Sequence, residues 1–338
     1  MDLTTVADDE VVFHDGLDVR RYTELTPDTP YELEGREVRT LPRPGGELLA
    51  TFATTNDVHF GELECGHLDG LEELGPIYTS EPGAEPYPTL MNRCAVADIA
   101  EIDPAAVVVK GDLTAFGTQA EYKEFLAVYE PVFGDRLHHV RGNHDAYYGE
   151  TFADEAPFAV DLPGVVLAVL DTAIPHHEAG QVTAETLEWL DDLAHDTARD
   201  SGRPVLVFGH HHVWNPASPS RPDRYFGINP DDSERLVDLV ARRPAVLGYF
   251  AGHTHRNRAR HFDATGPVPW VEVAAVKDFP GAWAEYRVYE GGILQVFRRI
   301  SAPEALAWSE KTRNMYGGLY EGYAFGELAD RCFAMLPR

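Results

Sequence analysis

Six short apolar runs recur along the chain, at residues 48–55, 106–109, 137–140, 165–170, 204–208 and 245–250, with helical patterns between them at 90–102, 118–129, 183–194 and 231–241. Apolar runs of this length, bounded by Gly and Asp, read as strands buried on both faces. Their alternation with helices predicts an α/β fold. Five of the runs end, always on the C-terminal side, in side chains able to bind metal: Asp57 and His59, Asp112, Asn143 and His144, His210, and His253 with His255. In open α/β sheets the loops after the C-terminal strand ends are where ligands gather.

Each group alone is weak. An Asp after a strand is often a helix cap, and histidines in turns are common on surfaces. Asp57-Val58-His59 gains meaning if the segment is extended, because residues two apart then point to one side; His253-Thr254-His255 repeats the spacing. Gly111, Gly142, Gly209 and Gly252 precede four of the groups, where a missing Cβ leaves room for an ion or a phosphate. Gly142-Asn143-His144-Asp145 is a poor formula for a purely structural turn. All five groups in series make accident an inadequate explanation. The donors are imidazole, carboxylate and amide without thiolate, which suits Fe, Mn, Zn or Co.

The order D-x-H, G-D, G-N-H-D, G-H, G-H-x-H resembles that of the calcineurin-like metallophosphoesterases, over residues 48–276. It is most similar to the bacterial branch containing class III cyclic-nucleotide phosphodiesterases and glycerophosphodiesterases. Gly111-Asp112-Leu113-Thr114 with Gly117, Leu170-Asp171-Thr172, and Gly180 with Val182 before Leu187-Glu188-Trp189-Leu190 extend the likeness. The resemblance implies a four-layer α/β/β/α sandwich of two mixed sheets. It implies two metal ions, one held by Asp57, His59, Asp112 and His255, the other by Asp112, Asn143, His210 and His253, with Asp112 bridging. It further implies a metal-bridging hydroxide as nucleophile, His144 as proton donor, and Asp145 holding the His144 ring in its useful tautomer. The expected substrate is a small phosphodiester, such as a cyclic nucleotide or a glycerophosphodiester. The alternatives are a phosphomonoesterase, or a protein or nucleotide phosphatase, on the same site, and a non-catalytic scaffold of the same fold. Two departures stand out. Asn56 replaces a smaller residue before the first Asp, with little consequence expected, and His210-His211-His212 form a run, of which His210 is expected as ligand because it follows the strand directly.

The remaining sequence bounds the setting. Acidic residues number 56 against 28 basic ones, a net charge of -28, which argues against general affinity for nucleic acid. Cys65, Cys94 and Cys332 are widely spaced and suit a reducing compartment. The acidic start is unlike a signal peptide, and no apolar run has membrane-spanning length, so a cytoplasmic location is expected. A homo-oligomer is compatible with the sequence. Residues 1–47 read as a small β extension, 48–300 as the main domain, and 301–338 as a C-terminal helix and tail. His138 and His139 are expected to be structural, and His67, His195 and His261 superficial. His176 or His177 is a candidate for substrate contact, as are Tyr147, Tyr148, Trp214, Tyr225 and Trp283, although such aromatics also seal cores. Lys277 is expected in a solvated turn.

Overall fold

A computed structural model describes residues 1–68, 70, 72–153 and 156–338. Two six-stranded mixed sheets form its centre. The first runs, edge to edge, Phe333–Met335, Gly292–Arg299, Ala282–Tyr289, Leu48–Thr55, Val107–Lys110 and Leu137–Val140. The second runs Arg258–His261, Pro269–Glu272, Val246–Ala251, Val205–Phe208, Val165–Val169 and Phe158–Leu162. Within each sheet the strands carrying the motif groups pair in parallel, and antiparallel strands close both edges of the second sheet and one edge of the first, whose other edge is the parallel strand Leu137–Val140.

The side-chain alternation of the central strands explains the layering. Val107 and Val109 face the outer helices, whereas Val108 faces the other sheet. Likewise Val205 and Val207 point to helices, and Leu206 and Phe208 to the inter-sheet core. A strand apolar on both faces must be covered twice. Helices Tyr87–Glu101, Gln119–Phe133 and Pro303–Thr312 cover the first sheet; Ala184–Asp200 and Pro230–Arg242 cover the second. The result is the expected four-layer α/β/β/α sandwich. Thr118 and Glu121 form a reciprocal capping box that starts the second of these helices. No helix among the described residues is long and apolar enough to cross a membrane.

The chain ends are tied to this body. The N-terminal residues form a three-stranded sheet, Asp2–Val6, Val11–Asp15 and Asp18–Tyr22, and a hairpin, Pro30–Leu33 with Arg36–Arg39. Thr5 Oγ1 donates to the Phe297 carbonyl at 2.8 Å. The acidic run Asp8-Asp9-Glu10 meets Arg287 and Arg298, and Arg298 also pairs with the buried Glu285. Residues 303–325 are mainly helical, and Phe333–Met335 adds an edge strand to the first sheet.

Candidate metal centre

The parallel strands of both sheets end on one side of the sandwich, and the five motif groups meet there. His59 Nε2 lies 3.5 Å from Asp112 Oδ2, and His210 Nε2 lies 3.3 Å from the same oxygen. His255 Nε2 is 3.4 Å from Asp57 Oδ1. The Asn143 amide oxygen stands 3.0 Å from His210 Nε2. Four overlapping clusters have donor atoms within 4.8 Å of one another: Asp57–His59–His255, His59–Asp112–His144, Asp57–Asp112–His210 and His210–His211–His253. All seven residues expected as ligands therefore converge, with Asp112 shared between groups and His144 beside them. His211 joins as well; its Nδ1 is engaged by Thr172 Oγ1 at 2.8 Å.

The local backbone departs from the expected extended geometry. Asp57, His59, Asp112, His253 and His255 all have positive φ, between 48° and 69°. Val58 and His59 both donate their N–H to the Asp112 carbonyl, at 3.0 and 2.9 Å, which bends the segment away from the strand line. Left-handed backbone at a non-glycine residue costs energy and clusters at functional sites. All four glycines answer to close approach: a Cβ on Gly111 would stand 2.6 Å from His210 Nδ1, one on Gly252 2.7 Å from Asp57 Oδ2 and one on Gly209 2.6 Å from the Tyr249 hydroxyl, and one on Gly142 would collide with Asp112.

Hydrogen bonds from behind fix the donors. His210 Nδ1 donates to the Lys110 carbonyl at 2.8 Å, which leaves Nε2 to face Asp112. Asp57 accepts from the His253 N–H at 3.0 Å and from Asn56 Nδ2 at 2.5 Å, and Asn56 Nδ2 also reaches the Val273 carbonyl at 3.0 Å. Asn56, of which the sequence promised little, thus orients Asp57. Asp112 Oδ1 accepts the His144 N–H at 2.9 Å.

Asp145 requires a correction. It does not orient the His144 ring, whose Nδ1 faces the Ala115 carbonyl at 2.8 Å. Its carboxylate instead accepts from the N–H groups of Gly142, Leu113 and Thr114 and from Thr114 Oγ1, at 2.6–3.0 Å. Both residues lie on the single helical turn Asn143–Ala146, where successive side chains point about 100° apart. Asp145 therefore ties the loop carrying Asp112 to the one carrying Asn143. Burial, with Asp112 nearby, pushes its carboxyl up to about 6.

The electrostatics suit cations. Burial holds His59, His211 and His253 well below the usual imidazole range, so they stay neutral and keep lone pairs. Burial disfavours the charged forms of His210 and His255 too, but Asp112 raises the first to about 9, and Asp57 and Asp278 raise the second to about 10. Both nitrogens of His59, and Nε2 of His211 and His253, are buried without a hydrogen-bond partner. Orphaned buried nitrogens are costly, and facing carboxylates at 3.3–3.5 Å leave space for positive ions. The residues present fit a pair of metal ions.

A cavity of about 560 Å³ opens over the cluster, lined by His144, Tyr147, Phe226, Lys277, Tyr320 and Tyr323 among others. Lys277 is not in a solvated turn; it is buried, with Nζ 2.7 Å from Glu62 Oε1 and 3.5 Å from Asp278 Oδ2. His67 reaches the cavity rim, whereas His176 and His177 lie outside its lining. His138 and His139 pack on Phe158 and Tyr122, and Trp283 belongs to the core. Sequence reasoning missed Glu62, Asp278 and Tyr320. The one available signal was Lys277-Asp278 itself, which follows a sheet-two strand on the same side as the motif groups.

Two mixed sheets in a four-layer sandwich, with an imidazole–carboxylate cluster at their common C-terminal edge, define a protein of the dimetal phosphoesterase type. A family model for calcineurin-like phosphoesterases matches residues 50–257, and the chain belongs to that family. It is 32% identical over 163 residues to the cAMP/cGMP dual specificity phosphodiesterase of Mycobacterium tuberculosis, covering 45% of this chain and 49% of the relative. It is 29% identical over 167 residues to a glycerophosphodiester phosphodiesterase of Enterobacter lignolyticus, covering 45% and 56%. The chain thus spans about half the length of these curated relatives. In fold it is similar to a dimetal phosphatase from Danio rerio, with a TM-score of 0.52 at 16% identity, covering 75% of this chain and 97% of that one.

Proposed function

We propose that the protein hydrolyses small phosphodiesters with two bound metal ions, held by Asp57, His59, Asp112 and His255 and by Asp112, Asn143, His210 and His253. The observation that carries this reading is the meeting of seven potential donors around shared carboxylates, with imidazole nitrogens buried and unpartnered. When bound, such ions polarise phosphoryl oxygens and make water a competent nucleophile near neutral pH.

The chain's own groups supply the rest. A carbonyl oxygen only accepts, so the Ala115 carbonyl keeps a proton on His144 Nδ1. His144 lines the cavity, and its Nε2 is then the atom that carries or loses the second proton. As an imidazolium it can hand that proton to the departing ester oxygen, and the Nδ1 bond survives the transfer. The loops bearing Asp112 and Asn143 are locked together by Asp145, so the donors need not reorganise during reaction. The substrate is proposed as a small phosphoester on the strength of the phosphodiesterase relatives and the cavity size. A cytoplasmic location is proposed in keeping with three buried, unpaired thiols.

The test compares hydrolysis of a bis-aryl phosphate with that of the mono-aryl ester in the presence of Mn²⁺. Preference for the diester is expected. Preference for the monoester would replace the diesterase by a phosphatase, and inactivity towards both after metal loading would favour the scaffold.

A further inference from the structure

Residues beyond the family-matched segment reach His255 through Asp278 and, behind it, Tyr320. Tyr320, on the helix Tyr320–Phe325, donates its hydroxyl to Asp278 Oδ1 at 2.7 Å. The other oxygen of Asp278 lies 3.3 Å from His255 Nδ1. The opposite nitrogen of that ring faces Asp57. Asp278 and Tyr320 are buried, and the 277–279 segment is clamped from outside: Trp308 Nε1 donates to the Lys277 carbonyl at 2.9 Å, and the Phe279 N–H donates to Thr312 Oγ1 at 2.9 Å. Trp308 and Thr312 sit on one C-terminal helix and Tyr320 on another.

A carboxylate accepting from Nδ1–H fixes the histidine tautomer, turns the Nε2 lone pair outward and makes the ring a stronger donor. We propose that Asp278 and Tyr320 are positioning residues for His255, so that the C-terminal helices set the affinity of the Asp57–His59–His255 half of the metal centre. The inference rests on the reading of His255 as a metal ligand.

The test uses the full chain, stripped of metal, and titrates Mn²⁺ alone by calorimetry. Wild type is expected to take two equivalents. Asp278→Asn should weaken one equivalent about 10–100-fold and leave the other unchanged, and Tyr320→Phe should weaken the same equivalent by a smaller factor. Tyr289→Phe, which loses only a bond to Asp8 at the opposite end of the sheet from the cluster, is the control and should bind as wild type. In ¹⁵N-histidine spectra of the Zn²⁺-loaded protein, the His255 Nδ1–H proton should move upfield in Asp278→Asn, a change that mere loosening of the fold would not single out. Wild-type binding in both Asp278→Asn and Tyr320→Phe would overturn the proposal, as would equal weakening of both equivalents. His255→Ala separates the two failures: if it too binds two equivalents normally, the ligand reading falls; if it loses one, only the positioning role does.

Discussion

Replacing Gly111 by alanine isolates how much of the site depends on close approach. Gly111 has φ +85°, and a Cβ there would lie 2.6 Å from His210 Nδ1 and 2.8 Å from the Gly142 nitrogen. The first contact is a ring held to the Lys110 carbonyl, and the second is backbone, so neither neighbour can swing aside freely. The left-handed backbone costs an L-residue about 1–2 kcal/mol. Forcing a methyl group into a packed site adds about 1–3 kcal/mol. The expected loss is thus roughly 2–5 kcal/mol of stability, with His210 displaced from Asp112. Gly16→Ala is the matched control, because Gly16 has φ +59° but nothing within 4 Å of the added carbon; it should lose only the backbone share. Urea unfolding of the metal-free proteins measures the difference, and Mn²⁺ titration should show one equivalent lost from Gly111→Ala alone. If the two variants were equally stable and bound metal equally, the packing argument for the site would be wrong.

Asp112→Ala should abolish both metal equivalents, since Asp112 faces both His59 and His210; elemental analysis after metal loading and dialysis checks it. His144→Ala should retain both metals while kcat falls about 10²–10⁴-fold, as expected for loss of a general acid; unchanged kcat would remove His144 from proton transfer. Acid should destabilise the N-terminal sheet through His14, whose imidazole burial pushes down to about 3, with help from Arg299 and Arg21. Its folded pKa lies below the unfolded 6.5, so the unfolded chain binds the extra proton between these values. Its contribution is complete above pH 6.5 and is lost as pH falls towards 3, amounting to on the order of a few kcal/mol; His14→Gln should flatten that part of the stability profile in pH-dependent urea melts.

The sequence exposed the central parallel strands because most are apolar on both faces and five of the six apolar runs end in donor side chains. Val107–Lys110 and Val205–Phe208 could hardly be anything else. Two edge strands, Phe158–Leu162 and Phe333–Met335, lack both signals. Phe158–Leu162 alternates exposed and half-buried positions and carries Asp161, and Phe333–Met335 has only three residues. Their pairing is decided by neighbours distant in sequence, Val165–Val169 and Gly292–Arg299. The pairing of the N-terminal acidic run is invisible in the sequence because its partners Arg287 and Arg298 lie 278 and 288 residues away.

The site divides along the same line. Donor identity is local information: Asp57, His59, Asp112, Asn143, His210, His253 and His255 are side chains whose chemistry can be read without knowing where they point. Orientation is not local. The Asp112 carbonyl turns residues 58 and 59, Asp145 spends its carboxylate on backbone N–H groups rather than on His144, and Asp57 is aimed by Asn56 and by the His253 N–H. The bonds of Val58 and His59 to Asp112, of Leu113 to Asp145 and of His253 to Asp57 join loops from different strand ends, and several hold residues at positive φ that isolated segments would avoid. The energy that keeps the donors strained must therefore come from the two packed sheets beneath them. It follows that conservative changes far from any donor, if they shift one sheet against the other, should disturb the metal centre before they unfold the chain.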